Sequence, residues 1–223
     1  MVIQLPQGAG CLSDVAQAMQ EAAITHSVDL KIDHDALLEG YGCLWMLVRY
    51  QIALSRLPVG PLTVETFLRS PSSVFSLRDF TLFDEKGECG RAVQTWVVVS
   101  TEERSMQPIS SIPQLLAGPV PQPERTSRPR RIRLPKELPF LGNWTVAENE
   151  IDDNEHLNNV AYVRHAEALA GGGYTSLDVR FERECFAGER LQFFGADTEE
   201  GFVVKLCKES GELSFCALFG KES

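Results

Sequence analysis

Eight of the 12 prolines, Pro108, Pro113, Pro119, Pro121, Pro123, Pro129, Pro135 and Pro139, fall inside one stretch of this 223-residue chain. Proline lacks the N–H that a helix interior or an inner strand requires, so no long regular element survives such a run. The chain therefore divides into an N-terminal part over 1–107, a Pro-rich basic linker over 108–139 and a C-terminal part over 140–223. In the first part, Leu12, Val15, Met19 and Ala22 fall on one face of a helix near 13–27. Strand-like runs follow at 43–55, 61–70, 73–84 and 91–101, and Asp84, Glu85, Lys86 and Gly87 signal a hairpin between the last two. In the second part, Trp144 lies in a short strand and a helix runs from about 157 to 170. Gly171, Gly172 and Gly173 then stop it, and strands follow near 175–184, 189–197, 201–208 and 212–219.

One helix with four antiparallel strands, twice over, implies an α+β fold of two tandem hotdog domains, in each of which an antiparallel sheet wraps around a central helix. The two helices also align: residues 14–22 lie over 159–167 at an offset of 145, with Val15 and Ala16 matching Val160 and Ala161. At that offset Asp152, Asn154 and His156 fall opposite Gln7, Ala9 and Cys11. The first copy thus lacks the polar set of the second. That is the pattern expected when one copy does chemistry and the other binds an apolar group.

The segment from Ile151 to Tyr162 packs an acid, an amide and an imidazole into five residues just before the second helix. If 150–156 is extended, a period of two puts Asp152, Asn154 and His156 on one face. A helix starting near Leu157 then aims the backbone N–H groups of Leu157 to Asn159 at the same spot, where they suit a developing oxyanion. A plainer reading stands beside this one. Asp and Asn clusters before a helix are commonly caps and Asx-turns, and Asp153, Asn154, Asn158 or Asn159 fit that use. A cap needs no imidazole, so His156 tilts the segment towards chemistry. His26, His34 and His165 are isolated and read as surface or satisfied structural groups.

Charge and composition remove several function classes. A net charge of −10 argues against a general nucleic-acid binder. Residues 125–136 nonetheless hold six basic residues and no acid, which leaves −16 on the remainder of the chain. Such a patch suits an acidic partner, or is simply a solvated linker. The six cysteines are scattered without a C-x-x-C pair, and the start resembles neither a secretory leader nor a transit peptide. Reduced thiols in a cytoplasmic location are expected. No apolar run is long enough to span a membrane. Serine-hydrolase elbow, metalloprotease, dinucleotide and phosphate-loop motifs are missing, so no cofactor and no metal are expected.

The chain resembles the acyl-[acyl carrier protein] thioesterases of bacterial and plant type, a double-hotdog family. The resemblance is carried by Asp152 to Tyr162 and by Arg183, Glu184 and Cys185 about 28 residues later. First-half runs at 19–23, 45–49, 78–84 and 95–97 add to it. It implies hydrolysis of acyl-carrier thioesters to free fatty acid and holo-carrier, which ends fatty-acid synthesis. The catalytic set it implies is Asp152, Asn154, His156 and Glu184, with Cys185 as a proposed nucleophile. Glu184 is then the base on water, Asn154 and His156 position water and thioester, and Asp152 orients its neighbours. A Cys185, His156 and Asn154 set offers a covalent alternative. A buried strand cysteine is more often a small hydrophobe, so the water route is preferred. Without the resemblance, Glu184 reads as an exposed carboxylate paired with Arg183 or Arg180.

By the same resemblance the first half binds the acyl chain, with Met19, Ala22, Trp45, Leu47 and Phe80 as candidate lining and Asn158 and Asn159 at the reacting end. Arg128, Arg130, Arg131, Arg133 and Lys136 are candidate docking residues for acyl carrier protein and its phosphopantetheine arm; acyl-CoA makes similar demands. A short opening before Gly10 puts the edge of the first sheet in question. Monomer and homodimer are both compatible with two fused hotdogs. A hotdog dehydratase is the competing enzyme, though His156-Leu157-Asn158-Asn159 does not match its His-Phe pattern. A non-catalytic acyl-thioester-binding module is the competing non-enzyme.

Overall fold

A computed structural model describes residues 2–4, 10–69, 73–116 and 132–221. The N-terminal part contains β1 (Val2–Gln4), α1 (Leu12–Asp29), α2 (His34–Tyr41), β2 (Cys43–Leu54), β3 (Pro61–Leu68), β4 (Ser76–Asp84), β5 (Gly87–Ser100) and β6 (Met106–Gln107). The C-terminal part contains β7 (Phe140–Thr145), α3 (Asn159–Ala170), β8 (Ser176–Phe181), β9 (Arg190–Thr198), β10 (Gly201–Lys208) and β11 (Leu213–Gly220). The main strands run in the order β1-β3-β4-β5-β2-β8-β11-β10-β9-β7, with β6 added on β5. The edge of the first sheet is thus occupied, because Val2 to Gln4 pair with Thr63 to Pro61.

The two sheets fuse edge to edge. β2 and β8 pair antiparallel from Arg49 opposite Arg180 to Ala53 opposite Ser176. Arg49 also grips Asp178 across this seam, its Nε donating at 2.9 Å, and Gln51 donates to the same carboxylate at 2.9 Å. Helices α1 and α3 lie against each other and share one apolar core, in which Val15 and Met19 from α1 meet Val163 and Ala166 from α3, all buried. The aligned runs 14–22 and 159–167 both fall within these helices.

A single carboxylate pins the helices together. Glu167 of α3 is 9% exposed and accepts hydrogen bonds from the backbone N–H groups of Leu12 (2.8 Å) and Ser13 (2.9 Å). These are first-turn amides of α1, which have no partner inside their own helix, and a negative charge is favoured at that end.

The Pro-rich stretch is more than a connector at its two ends. Short 3-10 turns at Ile109–Ser111 and Pro113–Leu115 bury Ile109, Ile112 and Leu115 against Ile32, Leu37, Cys43 and Val98. At the far end Ile132 packs on Val203 and Cys216 of the second sheet. Among the described residues no helix is long and apolar enough to cross a membrane.

Candidate active site

Residues 150–156 are not extended, and the expected one-face alternation does not occur. Glu148–Glu150 form a 3-10 turn, Ile151 bridges to Leu157, and 152–156 close a tight loop between them. The Asp152 N–H donates to the His156 carbonyl at 2.8 Å, and Glu155 takes a left-handed φ of 63°. The cause is Asp152 itself. Its Oδ1 accepts from the backbone N–H groups of Asn154 (2.9 Å) and His156 (3.4 Å), the local side-chain bond with which Asp competes against extended structure.

The expected oxyanion amides are largely committed elsewhere. Leu157 N–H donates to the Cys185 carbonyl (2.8 Å) and Asn158 N–H to the Glu150 carbonyl (2.9 Å). Asn158 is the N-cap of α3, its Oδ1 accepting from Val160 N–H at 2.8 Å, so the capping reading holds for this residue. Of the amides at 157–159, that of Asn159, the first residue of α3, is the one without a hydrogen bond among the described residues.

The loop brings His156 to Glu184. Strand β8 ends at Phe181, so Glu184 lies on the following loop and not in the strand. His156 Nε2 stands 3.4 Å from Glu184 Oε2, with the side chains 32% and 47% exposed. The plainer partners of Glu184 are taken: Arg180 pairs with Glu182, and Arg183 with Glu212 at 2.8 Å. The exposed side chain of Asn154 stands on the same loop as His156. Water therefore has access to an acid and imidazole pair flanked by an amide.

Cys185 faces the other way. It is fully buried beside Tyr162 and Ser214, and burial pushes its thiol pKa up. A nucleophilic thiolate needs the opposite shift. Its carbonyl, accepting from Leu157, is what joins the two loops.

Phe186, which the sequence did not single out, contacts His156 edge-on at 5.2 Å between ring centroids and is 43% exposed. Lys208 Nζ lies 5.6 Å from the centroid of the Phe186 ring and pairs with Glu189 at 3.0 Å, while Glu189 also accepts from Phe186 N–H at 3.1 Å. These contacts tie the 184–189 loop to β10, and the Phe186 ring sets it against His156. No spacing rule could have found Phe186, because its partner is 30 residues away on another loop.

The candidate acyl-lining residues separate into two groups. Met19, Ala22, Leu47 and Phe80 share the main core between helices and sheet. Trp45 does not join them: it packs with the cluster under α2, its Nε1–H donating to the Ile32 carbonyl at 2.7 Å. Of the candidate docking residues, Arg133 and Lys136 are exposed, and Arg128, Arg130 and Arg131 lie outside the described residues.

Two helices wrapped by two fused antiparallel sheets define a double-hotdog protein, with an acid and imidazole pair beside the start of the second helix. Residues 7–112 match the acyl-ACP thioesterase N-terminal domain. The chain is 24% identical to a chloroplastic dodecanoyl-[acyl-carrier-protein] hydrolase of Cinnamomum camphora, over 86% of this chain and 56% of that protein. It is also 24% identical to the chloroplastic oleoyl-acyl carrier protein thioesterase 1 of Arabidopsis thaliana, over 67% of this chain and 46% of that one. It thus spans about half the length of the curated relatives it matches. An acyl-ACP thioesterase structure from Bacteroides thetaiotaomicron superposes with a TM-score of 0.85 at 21% identity, covering 100% of this chain and 97% of the other. The N-terminal part of the chain thus matches the acyl-ACP thioesterase N-terminal domain, and the chain as a whole shares its fold with the Bacteroides structure.

Proposed function

We propose that this protein hydrolyses acyl-ACP thioesters to free fatty acid and holo-carrier, the step that terminates fatty-acid synthesis. The observation that carries this is the 3.4 Å approach of His156 Nε2 to Glu184 Oε2 across two loops, on a fold shared with acyl-ACP thioesterases. Glu184 takes a proton from water, the hydroxide adds to the thioester carbonyl, and the C–S bond breaks to release the carrier thiolate. His156 and Asn154 hold water and carbonyl in place, and the Asn159 N–H at the start of α3 is the backbone donor for the oxyanion. Asp152 acts through the loop it ties.

The first part, 1–107, takes the acyl chain on the core side of α1, and the catalytic groups belong to 140–223. The linker over 108–139 offers Arg128, Arg130, Arg131, Arg133 and Lys136 to the acidic carrier protein. A cytoplasmic location suits that partner, and a homodimer is compatible with this arrangement. Acyl-CoA is the alternative substrate, since it presents the same thioester on the same arm.

The test is steady-state thiol release from acyl-ACP and acyl-CoA panels by wild type, His156→Ala and Glu184→Ala. Removing a positioned acid or base typically costs about 10²- to 10⁴-fold in rate, and each variant is expected to lose that much kcat. Rates equal to wild type in both variants would remove these residues from the chemistry. A folded wild type that binds acyl thioester without turnover would leave a binding module.

A further inference from the structure

A cleft of about 500 Å³ opens between α1, strand β7 and the first turns of α3. It begins at the two stems of the 152–156 loop, since Ile151 and Asn158 both line it. His156 and Glu184 are not among its lining residues, so it is a separate feature beside the catalytic pair. Its volume falls within the range of about 300–1,000 Å³ usual for small-ligand sites.

The lining is polar and carries one uncommitted cation. Gln17 reaches it from α1, Asn149 and Asn158 from the loop stems, and Arg164 from α3. The acid of the cleft is already satisfied: Glu150 pairs with His165 at 2.6 Å and accepts from Trp144 Nε1–H at 3.2 Å and Ala147 N–H at 3.0 Å. The His165 ring lies on Trp144 with centroids 4.0 Å apart, which closes that wall. Arg164 is exposed and forms no ion pair among the described residues. By contrast, Met19 and Phe80 in the first-half core are 0% and 1% exposed.

Such a cleft suits a slender ligand with amides along its length and an anion at one end. A phosphopantetheine arm has that chemistry: two amides between a thiol and a phosphate. Amide side chains match the first feature, and a planar guanidinium grips phosphate through paired hydrogen bonds. We propose that this cleft binds the phosphopantetheine arm of the substrate, with Arg164 on the phosphate and Gln17 and Asn149 along the amides. The proposal rests on the thioester-hydrolase reading and adds to it the path by which the carrier arm reaches the 152–156 loop.

Arg164→Glu tests it with three thioesters of one acyl group: the acyl-ACP, the acyl-CoA and the N-acetylcysteamine ester, which lacks the phosphate. Because a charge-assisted phosphate contact is strong, Arg164→Glu should raise the KM of both phosphate-bearing esters about tenfold relative to the truncated one. The kcat values should not separate. Equal changes in all three, or none, would overturn the proposal; a loss confined to acyl-ACP would assign Arg164 to protein docking and overturn it as well. If wild type hydrolyses none of the three, the hydrolase reading fails on its own. Calorimetry with coenzyme A then still decides the cleft: binding lost in Arg164→Glu sustains it, and equal or no binding overturns it.

Discussion

Asp152 is a candidate catalytic residue whose Oδ1 is spent on the amides of Asn154 and His156. The charge matters less than the acceptor. Asp152→Asn, which keeps an oxygen in place, should retain kcat to within about threefold, whereas Asp152→Ala should lose about 10²-fold through a loosened loop, as misplacement of catalytic groups does. Equal losses in both variants would point to the carboxylate charge instead. The resemblance implies Cys185 as a nucleophile, whereas it is completely buried beside Tyr162 and its thiol pKa is raised, both of which favour packing over attack. Cys185→Ala should keep most of the turnover at some cost in stability, about 1–2 kcal/mol for a small core truncation. Trapping of an acyl-enzyme in wild type, absent from the variant, would reinstate the covalent route. What the sequence could not carry at this scale was conformation, because alternation along 150–156 competes with an Asx-turn that only geometry reveals.

Elements were more legible than loops. The strand runs and the two long helices lie close to where periodicity puts them, and the Asp84 to Gly87 signal does join β4 to β5. The short helix α2 has its punctuation in the sequence but no clear period: Asp33 caps it by accepting from Ala36 N–H at 3.3 Å, and Gly42 ends it at φ 61°. Only Leu37 of α2 is buried, so its apolar period is too weak to show. Asp84 gives the hairpin a pH dependence. Bidentate pairing with Arg56, then the Lys86 and Val59 N–H groups, hold its carboxyl down at about 2. A depressed carboxylate stabilises the fold above its ordinary value near 3.8, and that contribution is lost as pH falls towards 2. Denaturation midpoints between pH 7 and pH 2 should therefore drop less steeply for Asp84→Asn, from a lower start, than for wild type. Glu167 belongs to the same scale. Glu167→Ala strands two buried N–H groups of α1 and should destabilise the fold by about 3 kcal/mol in urea titrations; a change under about 0.5 kcal/mol would deny the cap its role.

At the scale of the whole molecule, the continuity of the sheet was not legible in the sequence. Nothing in the spacing says that β2 and β8 will pair, because the contact spans about 130 residues and depends on both sheets leaving matching edges free. At that seam the Arg49 and Asp178 side chains are 17% and 14% exposed, and burial raises the Asp178 pKa against the pull of Arg49. Breaking such a pair on one side leaves a poorly solvated charge. Asp178→Ala should cost about 3 kcal/mol, and adding Arg49→Met should restore part of it, a coupling that a double-mutant cycle reads directly. The candidate site likewise forms only at this scale, since His156 and Glu184 meet through two loops joined by the Leu157 to Cys185 backbone bond. The most direct test of its purpose is product analysis after mixing the intact protein with acyl-ACP. Free fatty acid and holo-carrier should appear in equal amounts over many turnovers. Acyl-ACP recovered unchanged in the presence of folded protein would contradict the assignment.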